Sequence, residues 1–203
     1  DRRRERIAVR ACGGELEHGL ASGERQQLLG LQFVATPENW RRIAHQIADE
    51  VYEKVTGVRG AFWTRVAYVS VNGLGKSAKY DIMVADADGH GARSVASANS
   101  PLMSPTWSPD GRRLAYVSFE SGNSQVFVQD IASGSRKAVA SFRGINGAPE
   151  WSPDGRRLAI VLSKDGQPDI YVVDVASKQL TRVTTSRVID TEPSWMPDGQ
   201  NLL

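Results

Sequence analysis

Apolar residues follow two different rhythms along this chain. From residue 59 onward they fall in short runs cut by Gly, Pro, Asp and Ser, whereas over residues 36–57 they recur at helical spacing. In the first region Leu114–Ser118, Val126–Val128 and Lys137–Ser141 are separated by Pro-Asp-Gly, Ser-Gly-Asn and Ala-Ser-Gly, which reads as strands joined by tight turns. With the stretch leading into Trp107, this makes four strands.

The four-strand unit repeats. Pro-Thr-Trp-Ser-Pro-Asp-Gly-Arg-Arg-Leu-Ala-Tyr-Val (Pro105 to Val117) recurs as Pro-Glu-Trp-Ser-Pro-Asp-Gly-Arg-Arg-Leu-Ala-Ile-Val (Pro149 to Val161) and as Pro-Ser-Trp-Met-Pro-Asp-Gly-Gln-Asn-Leu-Leu (Pro193 to Leu203). Trp107, Trp151 and Trp195 stand 44 residues apart, and Asp86, Asp130 and Asp174 keep the same step. Four antiparallel strands in roughly 40–45 residues is the size of a β-propeller blade. An earlier copy is incomplete: Arg65–Ser70 matches Leu114–Ser118 and Tyr80–Asp86 matches the next strand, but no Trp-Ser-Pro-Asp-Gly precedes Arg65. The first blade is therefore expected to lack its first strand, which in a closed propeller comes from the far end of the chain. The chain starts at Asp1 rather than Met and ends at Leu203 inside a strand, after about three blades where propellers have typically 4–8. It reads as a fragment, with exposed strand edges that favour self-association.

Residues 36–57 predict one amphipathic helix, with Thr36 as N-cap, Pro37 at the first helical position and Gly57 just past the end. Trp40, Ile43, Ala44, Ile47, Val51 and Val55 form its apolar stripe, while Arg41, Arg42, Glu50, Glu53 and Lys54 stay outside it. Leu31, Phe33 and Ala35 alternate as in a strand, and residues 1–25 show no clean periodicity. The organisation is thus residues 1–58 as the C-terminal remnant of an α/β domain, with 1–25 atypical, and residues 59–203 as the first blades of a truncated propeller. The fold class is mainly β.

Charge and composition narrow the chemistry. The net charge is +2, but five arginines among the first ten residues outweigh Asp1 and Glu5, leaving the rest at −1, so the body carries no electrostatic footprint for nucleic acid. The Arg-rich opening reads as a solvated terminus rather than a lipid-gripping tail. No run approaches the roughly 20 apolar residues needed to cross a bilayer, so no membrane insertion is expected. Cys12 is the only cysteine, which precludes an internal disulfide and a cysteine zinc site; His18, His45 and His90 stand isolated in the sequence. There is no Gly-x-Ser-x-Gly, His-Glu-x-x-His, phosphate loop or Cys-x-x-Cys, and we expect neither enzymatic activity nor a cofactor or metal.

Asp110, Asp154 and Asp198 occupy Pro-Asp-Gly turns that turn chemistry fully explains, and a ligand role would require carboxylates of successive blades to converge. The repeated tryptophans read as packing between blades. The segments before them, Leu102–Pro105, Ile145–Pro149 and Ile189–Pro193, lead into the innermost strand and ring the channel mouth. They are either a partner-binding rim or merely the start of the strand.

Several of these segments, together with residues outside the repeat, resemble the TolB family, the periplasmic propellers of the Tol–Pal system of Gram-negative bacteria. The resemblance is carried by Trp40 to Gly57, Arg59-Gly-Ala-Phe62, Thr64 to Tyr68, Pro101 to Pro105, Tyr116 to Gly122, Val139-Ala-Ser-Phe142, Asn146 to Pro149 and Thr191-Glu-Pro193, and spans roughly residues 27–203. It implies a six-bladed propeller, of which this chain holds about three blades, behind a small α/β domain. It also implies a non-enzymatic periplasmic scaffold that binds the lipoprotein Pal through the propeller mouth, supports outer-membrane integrity and invagination at cell division, and is exploited for bacteriocin import by colicins. TolA would be contacted through an N-terminal segment absent from this chain. Carried onto this sequence, the Pal-facing positions are Met103, Pro105, Ile145, Asn146, Gly147, Ala148, Pro149, Thr191 and Glu192. A second reading is the propeller of a prolyl-oligopeptidase-like serine peptidase without its catalytic domain; the helix over 37–56 argues for the first.

Overall fold

A computed structural model describes residues 5–13 and 26–203, with side chains from residue 29 on. The Arg2–Arg4 stretch of the basic opening and His18 lie outside the described residues. The chain divides into two compact units, one running to Val66 and including Asp86–His90, the other formed by Ala67–Ala85 and Gly91–Leu203.

In the first unit β1 (Glu5–Gly13) pairs antiparallel with β2 (Gln26–Ala35), from Glu5 opposite Ala35 to Gly13 opposite Gln26. The strand expected at Leu31–Ala35 is thus longer, and β1 lies where no periodicity was expected. Helix α1 spans Trp40–Thr56 and packs on β2. It begins one turn later than Thr36 and Pro37 predict. Asn39 Oδ1 accepts the Thr36 N–H (2.7 Å), and the Thr36 carbonyl accepts the N–H groups of Asn39 and Trp40 (both 3.0 Å), closing a turn before the first helical residue. Gly57 ends the helix in left-handed conformation (φ 73°) as expected, its N–H donating to the Glu53 carbonyl. Of the expected apolar stripe only Ile43 is buried; Ile47 and Val51 are half-buried, and Trp40, Ala44 and Val55 are exposed. His45 is not isolated in space: its Nε2 lies 3.3 Å from an Asp88 carboxylate oxygen that also pairs with Arg41.

The second unit is a series of antiparallel sheets. The first has three strands, β3 (Arg65–Asn72), β4 (Lys79–Asp86) and β5 (Arg93–Ala98), and lacks the innermost strand, as the repeat implied. The second holds β6 (Leu102–Trp107), β7 (Arg113–Ser118), β8 (Gln125–Asp130) and β9 (Arg136–Ala140). The third holds β10 (Asn146–Trp151), β11 (Arg157–Leu162), β12 (Asp169–Asp174) and β13 (Leu180–Arg182). A bridge between Trp195 and Leu202 opens a further hairpin. Strands β7 and β11 are buried on both faces, which is why Leu114–Val117 and Leu158–Leu162 read as continuous apolar runs rather than alternating ones.

Neighbouring blades are tied by one contact repeated at the 44-residue step. Trp151 donates its indole N–H to the Thr106 carbonyl of the preceding blade (3.3 Å), and Trp195 does the same to Glu150 (3.1 Å). In return Arg113 lies over the Trp151 ring (4.7 Å) and donates to the Gly155 carbonyl (2.9 Å), while Arg157 lies over Trp195 (4.7 Å) and donates to Gly199 (2.7 Å).

The Ser-Pro-Asp-Gly turns are structural, as their chemistry dictates. Ser108 Oγ accepts the Arg113 N–H (2.9 Å) and donates to Asp110, whose carboxylate also accepts the Arg112 N–H (3.0 Å); Ser152, Asp154, Arg156 and Arg157 repeat the arrangement. The hydroxyl hydrogen bond first, then the backbone N–H, hold both carboxyls below the usual range. A depressed carboxyl contributes stability above its unfolded value, near 3.9, that is lost as pH falls through the folded value. We therefore expect the melting temperature to fall below about pH 4, and Asp154→Asn to flatten that fall in thermal scans across this range; an unchanged acid limb would remove Asp154 from the account.

Candidate functional site

The three segments leading into Trp107, Trp151 and Trp195 come together at one end of the propeller unit and form two adjoining recesses. The first, of about 380 Å³, lies between the second and third blades; Met103, Val117, Phe119, Ile145, Gly147 and Ala148 are among its lining residues. Met103 and Ile145 are each half exposed, so large apolar side chains stand in water at its lip. The second, of about 240 Å³, is lined by Ser104, Pro105, Thr106, Ala148, Pro149, Glu150, Glu192 and Pro193. Of the residues carried over from the family resemblance, Met103, Ile145, Asn146 and Gly147 line the first recess, Pro105, Pro149 and Glu192 the second, and Ala148 both. Thr191 is exposed beside Glu192 and lines neither.

Asn146 reaches the mouth differently from its neighbours. Its side chain is fully buried: Nδ2 donates to the carbonyls of Phe142 (2.7 Å) and Gly144 (3.2 Å), Oδ1 accepts the Phe142 N–H (2.8 Å), and its own backbone N–H donates to Ser124 Oγ (2.8 Å). It shapes the loop that presents Ile145. Gly144 completes that loop at φ 86°, where a Cβ would strike Ser163 Oγ, the acceptor of the Ile145 N–H (2.7 Å).

Each rim strand carries a bulge. Met103 faces Val117 and Thr106 faces Ala115, so Ser104 and Pro105 together oppose one residue; Gly147 faces Val161 and Glu150 faces Ala159, repeating the irregularity at Ala148 and Pro149. Proline removes the ladder donor, which confines it to such places. The residue before it is left-handed in all three copies, Ser104 at φ 49°, Ala148 at φ 42° and Glu192 at φ 54°. A non-glycine residue held there costs of order 1–3 kcal/mol. Sequence reasoning missed this, because a residue before proline is expected to be extended. The recurrence of a non-glycine residue before proline at 104, 148 and 192 was the available signal. Glu150, also missed, is half-buried; desolvation pushes its carboxyl above the ordinary range, partly offset by the Thr106 hydroxyl (3.4 Å).

Removing the Asn146 amide orphans the Phe142 N–H and two loop carbonyls. We expect Asn146→Ala to destabilise the protein by about 2–3 kcal/mol in denaturant titrations; a loss below about 0.5 kcal/mol would show that the loop is held by other means.

Comparison with known proteins places this geometry. Residues 52–203 match the family described as the TolB beta propeller domain. Over 115 residues the chain is 59% identical to the Tol-Pal system protein TolB of Xanthomonas campestris pv. campestris (strain B100), covering 57% of this chain and 26% of that protein. It is 57% identical over 115 residues to the protein of the same name from Xanthomonas oryzae pv. oryzae (strain PXO99A), with the same shares covered. Its fold is similar to the crystal structure of TolB from Acinetobacter baumannii, with a TM-score of 0.81 at 37% identity over 88% of this chain and 45% of that one. Likeness to the β-propeller domain of the Trilobed protease from Pyrococcus furiosus is of fold alone, with a TM-score of 0.53 at 24% identity over 70% of this chain and 44% of that one. The chain thus spans about a quarter of the length of the curated relatives it matches.

Proposed function

Because the chain belongs to the TolB β-propeller family, we propose that it serves as the propeller component of a Tol–Pal system and binds the lipoprotein Pal through the mouth described above. Residues 59–203 supply the blades and residues 1–58 the end of an α/β domain. The protein works in the periplasm as a scaffold without catalytic activity. TolA and colicins are its further partners, and outer-membrane integrity and invagination at division are the processes it supports. Among the described residues no helix is long and apolar enough to cross a membrane.

The observation that carries this reading is the first recess. Half-exposed Met103 and Ile145 flank a concave apolar surface bordered by polar backbone and small residues, the make-up of an interface centre with a polar rim. The blade beneath is rigid, with β7 and β11 buried on both faces, so little ordering cost accompanies docking.

Carboxylates placed on that lip must be desolvated against an apolar partner surface. We expect Met103→Glu combined with Ile145→Glu to weaken binding of purified Pal by at least about tenfold, a loss of about 1.4 kcal/mol, in calorimetric titration, with the melting temperature little changed because both side chains already meet water. Bulky replacements of Thr191 and Glu192 are expected to act in the same direction. Wild-type affinity in all of these variants would sink the assignment of the mouth.

A further inference from the structure

The sequence holds three methionines, and the structure gives each a different setting. Met83 is half-buried within β4, opposite Ser94. Met196 is 38% exposed at the third Pro-Asp-Gly turn and lines neither mouth recess. Met103 is the most exposed of the three, at 50%, and lines the recess of about 380 Å³ together with Val117, Phe119 and Ile145. Its neighbour Leu102 is buried, so strand alternation turns the Met103 side chain to the wetted face. The repeat does not call for a large apolar residue at this place, because Gly147 and Thr191 hold it in the next two copies. What Met103 brings is a thioether that is both open to solvent and set in an apolar surface.

From this placement we propose that Met103 is an oxidation site through which a peroxide reversibly weakens binding at the recess. The sulfur lone pair takes the terminal oxygen of hydrogen peroxide, the O–O bond breaks, and the departing hydroxide takes up the proton of that oxygen and leaves as water. Sulfur is oxidised by two electrons to the sulfoxide, and the peroxide is reduced by two. A thiol-dependent sulfoxide reductase reverses the change, with the oxygen leaving as water and two thiols joined as a disulfide. The sulfoxide oxygen is a polar acceptor, and the side chains of Val117, Phe119 and Ile145 offer it no donor. A partner that seals the recess must therefore strip that oxygen of water without replacing the hydrogen bond. A sulfoxide at Met196 lies outside both recesses and carries no such cost. This inference rests on the reading of the recess as the Pal-binding face and adds how that face is regulated.

The test treats the full chain with hydrogen peroxide in a Cys12→Ser background, so that the thiol does not contribute, and maps added oxygen on each methionine by peptide mass spectrometry. Met103 should be oxidised ahead of Met83 and Met196, with the melting temperature little changed because its side chain already meets water. Affinity for purified Pal should fall about threefold to tenfold after treatment and return with a methionine sulfoxide reductase and dithiothreitol. Met196→Leu should show the same fall, whereas Met103→Leu, compared only with itself before and after peroxide, should show none. Slower oxidation at Met103 than at Met196, unchanged Pal affinity with Met103 oxidised, or an equal fall in Met103→Leu would each overturn the inference and leave the mouth assignment intact. Failure of the untreated protein to bind Pal would overturn that assignment, and the coupling of oxidation to binding with it.

Discussion

The contact on which the propeller unit depends is the exchange between the tryptophan of one blade and the arginine of the blade before it. Trp151 is almost fully buried and its indole N–H is spent on the Thr106 carbonyl, while Arg113 covers its ring and reaches across to Gly155. The ring buries a large apolar area, the guanidinium adds a cation–π term of about 0.5–2 kcal/mol, and each hydrogen bond satisfies a backbone carbonyl. Because Trp195 and Arg157 repeat the exchange, successive blades are held in the same way. In the third copy Asn201 stands where Arg113 and Arg157 stand, and it bonds within its own turn to Asp198.

The mouth is a consequence of that spacing. With strand β10 tied beside β6, the bulges at Ser104-Pro105 and Ala148-Pro149 fall next to each other, and Thr106 meets Glu150 across the interface. The loop that carries Ile145 then closes against the second blade through Asn146 and Ser124. Blade strands buried on both faces, a loop fixed by a buried amide and a backbone held in left-handed conformation together define the shape of that surface. Half-exposed Met103 and Ile145 make its lip apolar.

The parts legible in the sequence were those set by local rules or by repetition. The blades were readable because the Pro-Asp-Gly turns and the tryptophans recur in register, and the missing strand of the first blade because one motif is absent before Arg65. The helix was readable at Gly57, where only the C-cap was at stake, but not at its start, where Asn39 outcompeted Thr36 through a side-chain bond that spacing does not reveal. Strand β1 was overlooked because Arg6 and Arg10 continue the Arg-rich opening, although Ile7, Val9 and Ala11 alternate along Glu5–Gly13. Non-local features were out of reach: the pairing of His45 with Asp88 joins residues far apart in the chain, and the burial of Asn146 follows from a loop closure that no residue type announces. The left-handed rim residues ran against the usual preference before proline, which is where a local rule gives way to a site.

The most direct measurement is a double-mutant cycle between Arg113→Ala and Trp151→Leu, read as unfolding free energy. If the arginine–tryptophan exchange holds the blades together, the two losses are coupled by about 1 kcal/mol, since either change removes much of what the other would. Additive losses, within about 0.3 kcal/mol, would mean that the two side chains stabilise their blades separately and that the spacing of the mouth is set by something else.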